Sequence, residues 1–404
     1  MASSTRRPLK LVLFAIFAGG WVVAAYFLWR TEVPSDLKLR GVDLRSLFSP
    51  HQLHDAERFS LVDSLLSLGG IILLVVVLGL YARYGHRFMK ESAAGPIGTG
   101  MMLAMLGLAL VWLAMLPIGL LQTWWWGRHG LIEADYVGWI SGSWGALGGE
   151  FLFICLTILI VMGFARLVGA SWWLIGAPVF VGIVTLFTFA QPYMTPLEPL
   201  KNPVLVAASD RIARDEGVEG VPVKVVNMAT YTTAPNAEAM GLGPSRRVVL
   251  WDTMLDGRFS NPAVETVIAH EYAHQRQNHL WKMIAWFALF TIAIAYLIAR
   301  LTRGRGGMAV PAAVPLFLFV WIVFPLVTQP LNMAFSRRME AEADWIALQT
   351  TRDPGAAKQL FEGFVKTTDS DPSPPVWSTL LFDSHPTLED RIAMVDAWQA
   401  RNGG

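Results

Sequence analysis

The chain has 404 residues, of which 54% are hydrophobic and 16% are charged. Soluble domains carry about 25% charged residues, so this composition excludes an ordinary soluble protein and predicts one that crosses a membrane several times. The formal net charge of +1 gives no basic excess of the kind that nucleic-acid binding requires. A single cysteine, Cys155, excludes an intrachain disulfide framework and a cysteine-rich metal site.

Seven apolar stretches are candidates for membrane-spanning helices, which need about 20 mostly apolar residues. The first follows three basic residues, as a signal peptide would, but its length favours a retained span. The fourth is the weakest candidate because it is short and begins with glycines and a glutamate. Tryptophans at one end of the third and of the fifth fit the membrane interface. The stretches are residues 11–29, 64–80, 97–121, 150–164, 172–190, 280–298 and 308–327.

Two long segments are too polar to span and are predicted to be soluble. The first shows helical periodicity at residues 202–216 and valine-rich strands at 221–228 and 246–252. The tail from residue 332 is helical at first and is then broken by prolines. We expect a five-span region with a polar first loop, a soluble segment, a two-span hairpin and a C-terminal soluble segment. These are residues 1–190 (loop 30–63), 191–279, 280–331 and 332–404.

The sequence HEYAH, which begins at His270, carries the first indication of chemistry. On a helix, His270 and His274 are one turn apart on the same face, so both imidazoles can bind a single Zn²⁺. Glu271 lies between them, where it can take a proton from metal-activated water. Residues 263–303 contain neither glycine nor proline, which predicts one helix that runs unbroken from the motif into the sixth span.

A catalytic zinc site needs a third protein ligand and one open position. The sequence SRRMEAEAD follows the seventh span, and its Glu340 and Asp344 lie four residues apart on one helical face. Glu340 is a candidate ligand, Asp344 is a candidate to orient a ligating histidine, and Glu342 is a competitor that points to a different face. Two membrane crossings separate His274 from Glu340, so the two halves of the site return to one side.

Four blocks of sequence resemble the CAAX prenyl protease 1 family, seven-span zinc endopeptidases that are related to the bacterial HtpX-type proteases. The resemblance covers residues 195–395 and includes the zinc helix HEYAHQRQNH. The histidine that ends this block, His279, lies off the ligand face and is expected to bind no metal. One departure is the pair Tyr272-Ala273, where the prenyl proteases usually carry Leu-Gly. The other blocks are Glu340 to Asp344, Asn236 to Leu255, and Ser384 to Arg391.

Together with the spans, the resemblance implies a multi-span α-helical membrane protein with about seven transmembrane helices. It also implies a zincin-like α+β metalloprotease domain at one membrane face, above a water-filled chamber. Glu340 would be the third ligand of one Zn²⁺ per chain, and His385 and Arg391 would stabilise the developing oxyanion or hold it in place. Asn236 and Ala237 would bind the substrate backbone beside a strand.

These features predict an integral-membrane zinc metalloendopeptidase that cleaves peptides or membrane proteins, lipidated ones included. An alternative with the same chemistry is an HtpX-like protease of membrane-protein quality control, which requires no lipidated substrate. A channel or transporter without enzymatic activity is a third interpretation, and the complete set of motif residues argues against it. The lipid bilayer is an expected partner and nucleic acid is not. The expected location is a membrane, the cell membrane in a bacterium, with several crossings.

The sequence leaves open which side of the membrane holds the site. Short segments on the N-terminal face carry more lysine and arginine than those on the opposite face, which favours a cytoplasmic N-terminus and a zinc site outside the cytoplasm. The family resemblance implies the reverse, a site that faces the cytosol. If the fourth stretch did not cross the membrane, the number of crossings before the zinc site would be even. The N-terminus and the site would then lie on the same side, and the two arguments would agree.

Overall fold

The computed structural model describes residues 18–88 and 92–403, and within them six helices are long and apolar enough to cross a membrane. These six match the second to the seventh expected span. The first expected span, residues 11–29, lies partly outside the described residues, and its described part contains helix α1 (Ala18–Leu28). A short helix, α2 (Leu44–Leu47), follows. The six are α3 (Pro50–Tyr84), α4 (Gly95–Arg128), α5 (Tyr136–Val168), α6 (Trp173–Met194), α9 (His279–Leu301) and α10 (Val314–Thr351).

Helices α3 and α5 begin well before the apolar stretches that predicted them. Helix α3 begins at Pro50, because the Ser49 side chain accepts from the Gln52 backbone N–H and the Gln52 side chain accepts from that of Ser49. The polar first loop expected at residues 30–63 is therefore shorter, and its last part is helical. Helix α5, the weakest expected span, has 33 residues and is capped by Asp135. At 1.5 Å per residue it is long enough to cross a bilayer.

A four-stranded sheet in the order β1-β2-β4-β3 lies at the centre of the soluble region. Strands β2 (Val223–Val226) and β4 (Arg247–Trp251) confirm the two predicted strands and pair in parallel. Composition did not predict strands β1 (Glu198–Pro199) and β3 (Ala237–Met240), because β1 is only two residues long and β3 is poor in β-branched residues. Strand β3 pairs antiparallel with β4 and forms one edge of the sheet.

Helices cover this sheet and share one hydrophobic core with it. The predicted helix at residues 202–216 is confirmed as α7 (Pro203–Asp215), which the Asn202 side chain caps. Val248 and Leu250 of β4 are fully buried in the same cluster as Ile268 of α8. The remaining helices of the region are α8 (Asn261–Arg276), α11 (Pro354–Thr368), α12 (Val376–Phe382) and α13 (Leu388–Asn402).

The helix expected to run unbroken from the HEYAH motif into the sixth span is interrupted, so that expectation was wrong. Helix α8 ends at Arg276, and α9 begins at His279. Between them Asn278 adopts the left-handed conformation, with φ 53° and ψ 40°. Asparagine enters this region more readily than other residues with a side chain, so a run without glycine or proline does not guarantee a continuous helix.

Helix α10 connects the membrane to the soluble domain without a break. It spans 38 residues and contains residues 314–327 of the seventh expected span as well as the segment from Glu340 to Asp344. It packs against α8 and α9, so the α9–α10 hairpin returns the chain to the side of the membrane that it left. The side chains of α8 and of the end of α10 therefore meet at the boundary between the membrane helices and the soluble domain.

Candidate metal centre

Helices α8 and α10 bring two imidazoles and one carboxylate together. The Nε2 atoms of His270 and His274 lie 3.0 Å apart. The Glu340 carboxylate reaches both, with an oxygen 3.1 Å from His270 Nε2 and the other 3.6 Å from His274 Nε2. One donor atom from each of the three residues lies within 4.8 Å of the others. Two imidazole nitrogens and one carboxylate oxygen that converge in this way fit the donor set of a catalytic zinc site.

The His270 ring is held from behind by a buried carboxylate and a guanidinium. Its Nδ1 lies 2.9 Å from Asp344 Oδ1. Arg391 donates to both oxygens of Asp344, from Nε at 2.8 Å and from Nη2 at 2.6 Å. Each of the three residues is less than 10% exposed. This arrangement leaves Nε2 of His270 as the nitrogen that faces the other two candidate ligands.

The charges around His270 favour a cation at this position. Burial lowers the pKa of His270, but hydrogen bonds to Asp344 and Glu340 outweigh that effect and raise the pKa to about 10. Negative charge that stabilises a proton on the imidazole also stabilises a divalent metal ion beside it. The electrostatics of the cluster therefore agree with its donor set.

Arg391 is oriented differently from the expectation that it contacts the oxyanion or holds it in place. Its guanidinium is directed at Asp344 and stacks over the Phe361 ring, with the central carbon 4.3 Å from the ring centroid. A buried carboxylate requires such a partner, because an unpaired charge in this position would be costly. The guanidinium of Arg391 is thus linked to His270 through Asp344.

Two titratable side chains of the sequence motifs, His385 and Glu271, lie next to the metal cluster but are not among its three candidate ligands. His385 lies in the loop between α12 and α13, and its Nε2 is 3.1 Å from a Glu340 oxygen. Its side chain is about half exposed, which leaves it accessible from the cleft. Glu271 follows His270 on α8 and borders the same cavity as His270, His274 and Glu340.

A cavity of about 540 Å³ runs between the edge strand β3, the metal cluster and the membrane helices. Asn236 and Ala237 both line it, at the start of the strand. The Asn236 carbonyl accepts from the Trp251 backbone N–H, and its side-chain oxygen accepts from the Ala237 N–H. On the membrane side, the cavity is lined by residues of α6 and α9 that include Val184 and Phe287. The cavity therefore lies between the edge of the sheet and the membrane helices.

Several polar residues of the site were not predicted. His279 Nδ1 lies 2.8 Å from His274 Nδ1, and His279 Nε2 lies 3.0 Å from Glu342. The only sequence signal for this contact is the position of His279 five residues after His274. On a continuous helix that spacing turns the two rings apart, so the contact depends on the helix break and was not expected. Glu238 of β3 also borders the cavity, and burial together with the nearby Glu271 carboxylate raises its pKa. Alternation along a strand as short as β3 is too weak a signal to identify Glu238.

The departure at Tyr272 and Ala273 lies away from the cavity. Tyr272 is fully buried, and its hydroxyl donates to the Val221 carbonyl at 2.9 Å. Ala273 is buried in a small cluster with Ala343 and Ile346. The two residues therefore serve the packing of α8 against its neighbours.

The family model described as Peptidase family M48 matches residues 199–399 of this chain. The metalloprotease YhfN of Bacillus subtilis is 27% identical to it, over 92% of this chain and 95% of that protein. CAAX prenyl protease 1 of Saccharomyces cerevisiae is 24% identical, over 62% of this chain and 60% of its own length. A Protease HtpX homolog of Leuconostoc citreum is 30% identical, over 40% of this chain and 63% of its own length.

A similar fold is found in the crystal structure of S. mikatae Ste24p. The two chains align with a TM-score of 0.70 over 96% of this chain and 99% of that one. Their sequence identity is 17%, so this likeness concerns the fold alone.

Proposed function

Because the chain belongs to peptidase family M48 and is a multi-pass membrane metalloprotease, we propose that its metal is zinc, held by His270, His274 and Glu340. The observation that carries the proposal is the convergence of His270 Nε2, His274 Nε2 and a Glu340 oxygen within 4.8 Å. Glu271 stands beside them on α8. Two imidazoles, one carboxylate and an adjacent free glutamate are the parts that zinc-dependent peptide hydrolysis requires.

In this proposal Glu271 is the general base. A zinc ion held by His270, His274 and Glu340 would supply a Lewis acid that makes water reactive at neutral pH. The Glu271 carboxylate takes the proton from the attacking water and later delivers it to the amine that leaves. Glu271 is 7% exposed, which limits the contact of its carboxylate with bulk water.

His385 is assigned to the charge that develops on the carbonyl oxygen of the scissile bond. Its Nε2 lies 3.1 Å from the Glu340 carboxylate, and the residue lines the same cavity as His270 and Glu271. An N–H donor in this position stabilises the transition state more than the ground state, because the negative charge forms only during the reaction. Asp344 and Arg391 are assigned to holding the His270 ring in orientation.

The substrate is assigned to the cavity beside β3. Its backbone would pair with the free edge of this strand, and the Asn236 side chain and the Ala237 backbone would bind it at the strand's first residues. The cavity lies against the membrane helices α6 and α9, which favours substrates that are membrane proteins or carry a lipid. The alternative remains an HtpX-like protease that acts on membrane proteins without a lipid.

Comparison of Glu271→Gln with the wild type tests this function, because glutamine has nearly the same shape and cannot take a proton from water. Purified in detergent, the variant should keep its zinc and lose hydrolysis of a peptide that the wild type cleaves. Membrane proteins of cells that carry the variant should accumulate in uncleaved form, and their identity would distinguish lipidated substrates from others. Hydrolysis at the wild-type rate by Glu271→Gln would contradict the proposed role of this residue.

A further inference from the structure

His279 and Glu342 form a polar pair at the site that the metal cluster itself does not use. Their side chains are 1% and 2% exposed. Burial of an imidazole and a carboxylate is costly unless both are hydrogen bonded and their charges are balanced. Such a pair next to a metal site is expected to have a specific role.

The contacts of the pair form one continuous chain that begins at a proposed ligand. His274 Nδ1 is 2.8 Å from His279 Nδ1, and His279 Nε2 is 3.0 Å from a Glu342 oxygen. The Lys282 ammonium lies 3.3 Å from that same oxygen. The other Glu342 oxygen accepts from the Glu32 backbone N–H at 2.6 Å. Glu342 is thereby fixed from two directions, one of them the segment that follows α1.

The positions of the protons follow from which nitrogen of His274 faces the cluster. That nitrogen is Nε2, and a metal ligand offers a lone pair, so the proton of a neutral His274 is on Nδ1. His274 then donates to His279 Nδ1, and His279 donates from Nε2 to Glu342. We propose that His279 and Glu342 are positioning residues that fix the tautomer and the ring orientation of His274. This inference rests on the proposed zinc site.

The break at Asn278 makes this contact available. On a continuous helix, a residue five positions after His274 would be rotated from it by about 140°. The left-handed backbone at Asn278 ends α8 and starts α9 in a new direction, and His279 is its first residue. The ring of His279 can then turn back to His274, whereas Asp344 and Arg391 serve His270. Each of the two imidazoles thus has its own buried carboxylate on α10.

The test is the zinc affinity of the full-length protein in detergent, measured by competition with a chromogenic chelator. Loss of a group that orients a ligand typically weakens metal binding by about 10–100-fold, and we expect this for His279→Ala and for Glu342→Ala. Glu32→Ala is the matched control, because Glu342 contacts the backbone of Glu32 and not its side chain. Its affinity should stay within about twofold of the wild type.

Three further measurements separate positioning from general damage. In His279→Gln the amide can accept from His274 and donate to Glu342, so its affinity should lie between those of His279→Ala and the wild type. Because both residues act through one chain, the double alanine variant should lose no more than the weaker-binding single variant. The visible absorption of the Co²⁺-loaded protein should change in His279→Ala and not in Glu32→Ala.

The outcomes of these experiments distinguish this inference from the proposed function. Wild-type affinity in His279→Ala, or losses that multiply in the double variant, would overturn the positioning role while the zinc site stands. A wild-type protein that binds no zinc would instead overturn the zinc site itself. Should His279→Ala fail to fold, Glu342→Ala carries the test, because it removes the acceptor of His279. Wild-type affinity in Glu342→Ala together with an unchanged Co²⁺ spectrum would again reject the role.

Discussion

Glu216 allows a direct test of the electrostatics of the soluble domain. It follows the last residue of α7, and its side chain is 4% exposed. Burial raises its pKa to about 8, and Thr350 and Arg276 offset only part of this effect. A carboxyl whose pKa is higher in the folded chain stabilises the fold in its protonated form. That contribution is complete below the unfolded-state pKa of 4.5 and is lost as the pH rises through about 8.

The substitution Glu216→Gln removes this titration and keeps the shape of the side chain. Each pH unit between the folded and unfolded pKa corresponds to about 1.4 kcal/mol, so ionisation of Glu216 above pH 8 costs on the order of 5 kcal/mol. We expect the variant to melt roughly 10 °C above the wild type at pH 9 and within about 2 °C of it at pH 5. Scanning fluorimetry of the detergent-solubilised protein measures both differences.

Glu219→Gln is the matched control for this experiment. Glu219 lies three residues further along the chain and is exposed, so its replacement should leave the melting temperature unchanged at both pH values. Equal melting temperatures of Glu216→Gln and the wild type at pH 9 as well as at pH 5 would refute this reasoning. They would mean that ionisation of Glu216 does not destabilise the fold.

Three further predictions concern the site and its orientation. His385→Ala should lower kcat by about 10²–10³ with zinc retained, as loss of an oxyanion donor does, and an unchanged kcat would remove His385 from the mechanism. Arg391→Met should destabilise the protein by about 3–5 kcal/mol, because it leaves the buried Asp344 carboxylate without its guanidinium partner; an unchanged melting temperature would contradict this. In a Cys155→Ser background, an impermeant thiol reagent should label Lys366→Cys on intact cells, as the charge bias favours. Labelling only after permeabilisation would establish a site that faces the cytosol.

The sequence was sufficient to predict the class of protein. The family match and the shared fold confirm a multi-pass membrane protein of the metalloprotease type that resembles CAAX prenyl protease 1. Local signals carried this prediction: runs of apolar residues for the spans, and four-residue spacing for His270 with His274 and for Glu340 with Asp344. Each of these signals depends on residues within one helical turn or one span, which a single sequence displays directly.

Contacts between distant segments could not be predicted in this way. Arg391 reaches Asp344 across 47 residues of sequence, and spacing within one element contains no information on such a pair. The polar residues at the start of α3 were expected to form a loop. Hydropathy identifies only the part of a helix that lies in the membrane, so it does not predict the polar turns that extend the helix beyond it. Composition alone did not identify the edge strand β3, because its partner β4 determines its conformation.

The break at Asn278 is the most informative difference between expectation and structure. Composition predicted a continuous helix, and the average propensity of residues 263–303 supports one. The backbone turns at one residue that tolerates a positive φ, and this brings His279 to His274. A pattern summed over many positions cannot predict the conformation of a single residue that tertiary contacts determine.

The zinc content of purified protein tests the central claim most directly. Mass spectrometry of metal in the wild type and in His270→Ala, His274→Ala and Glu340→Ala measures whether these residues hold the ion. We predict about one zinc per wild-type chain, as expected for a single site with three protein ligands, and a loss of zinc in each variant. Full zinc occupancy in Glu340→Ala would contradict the assignment of the third ligand and, with it, the account of the site.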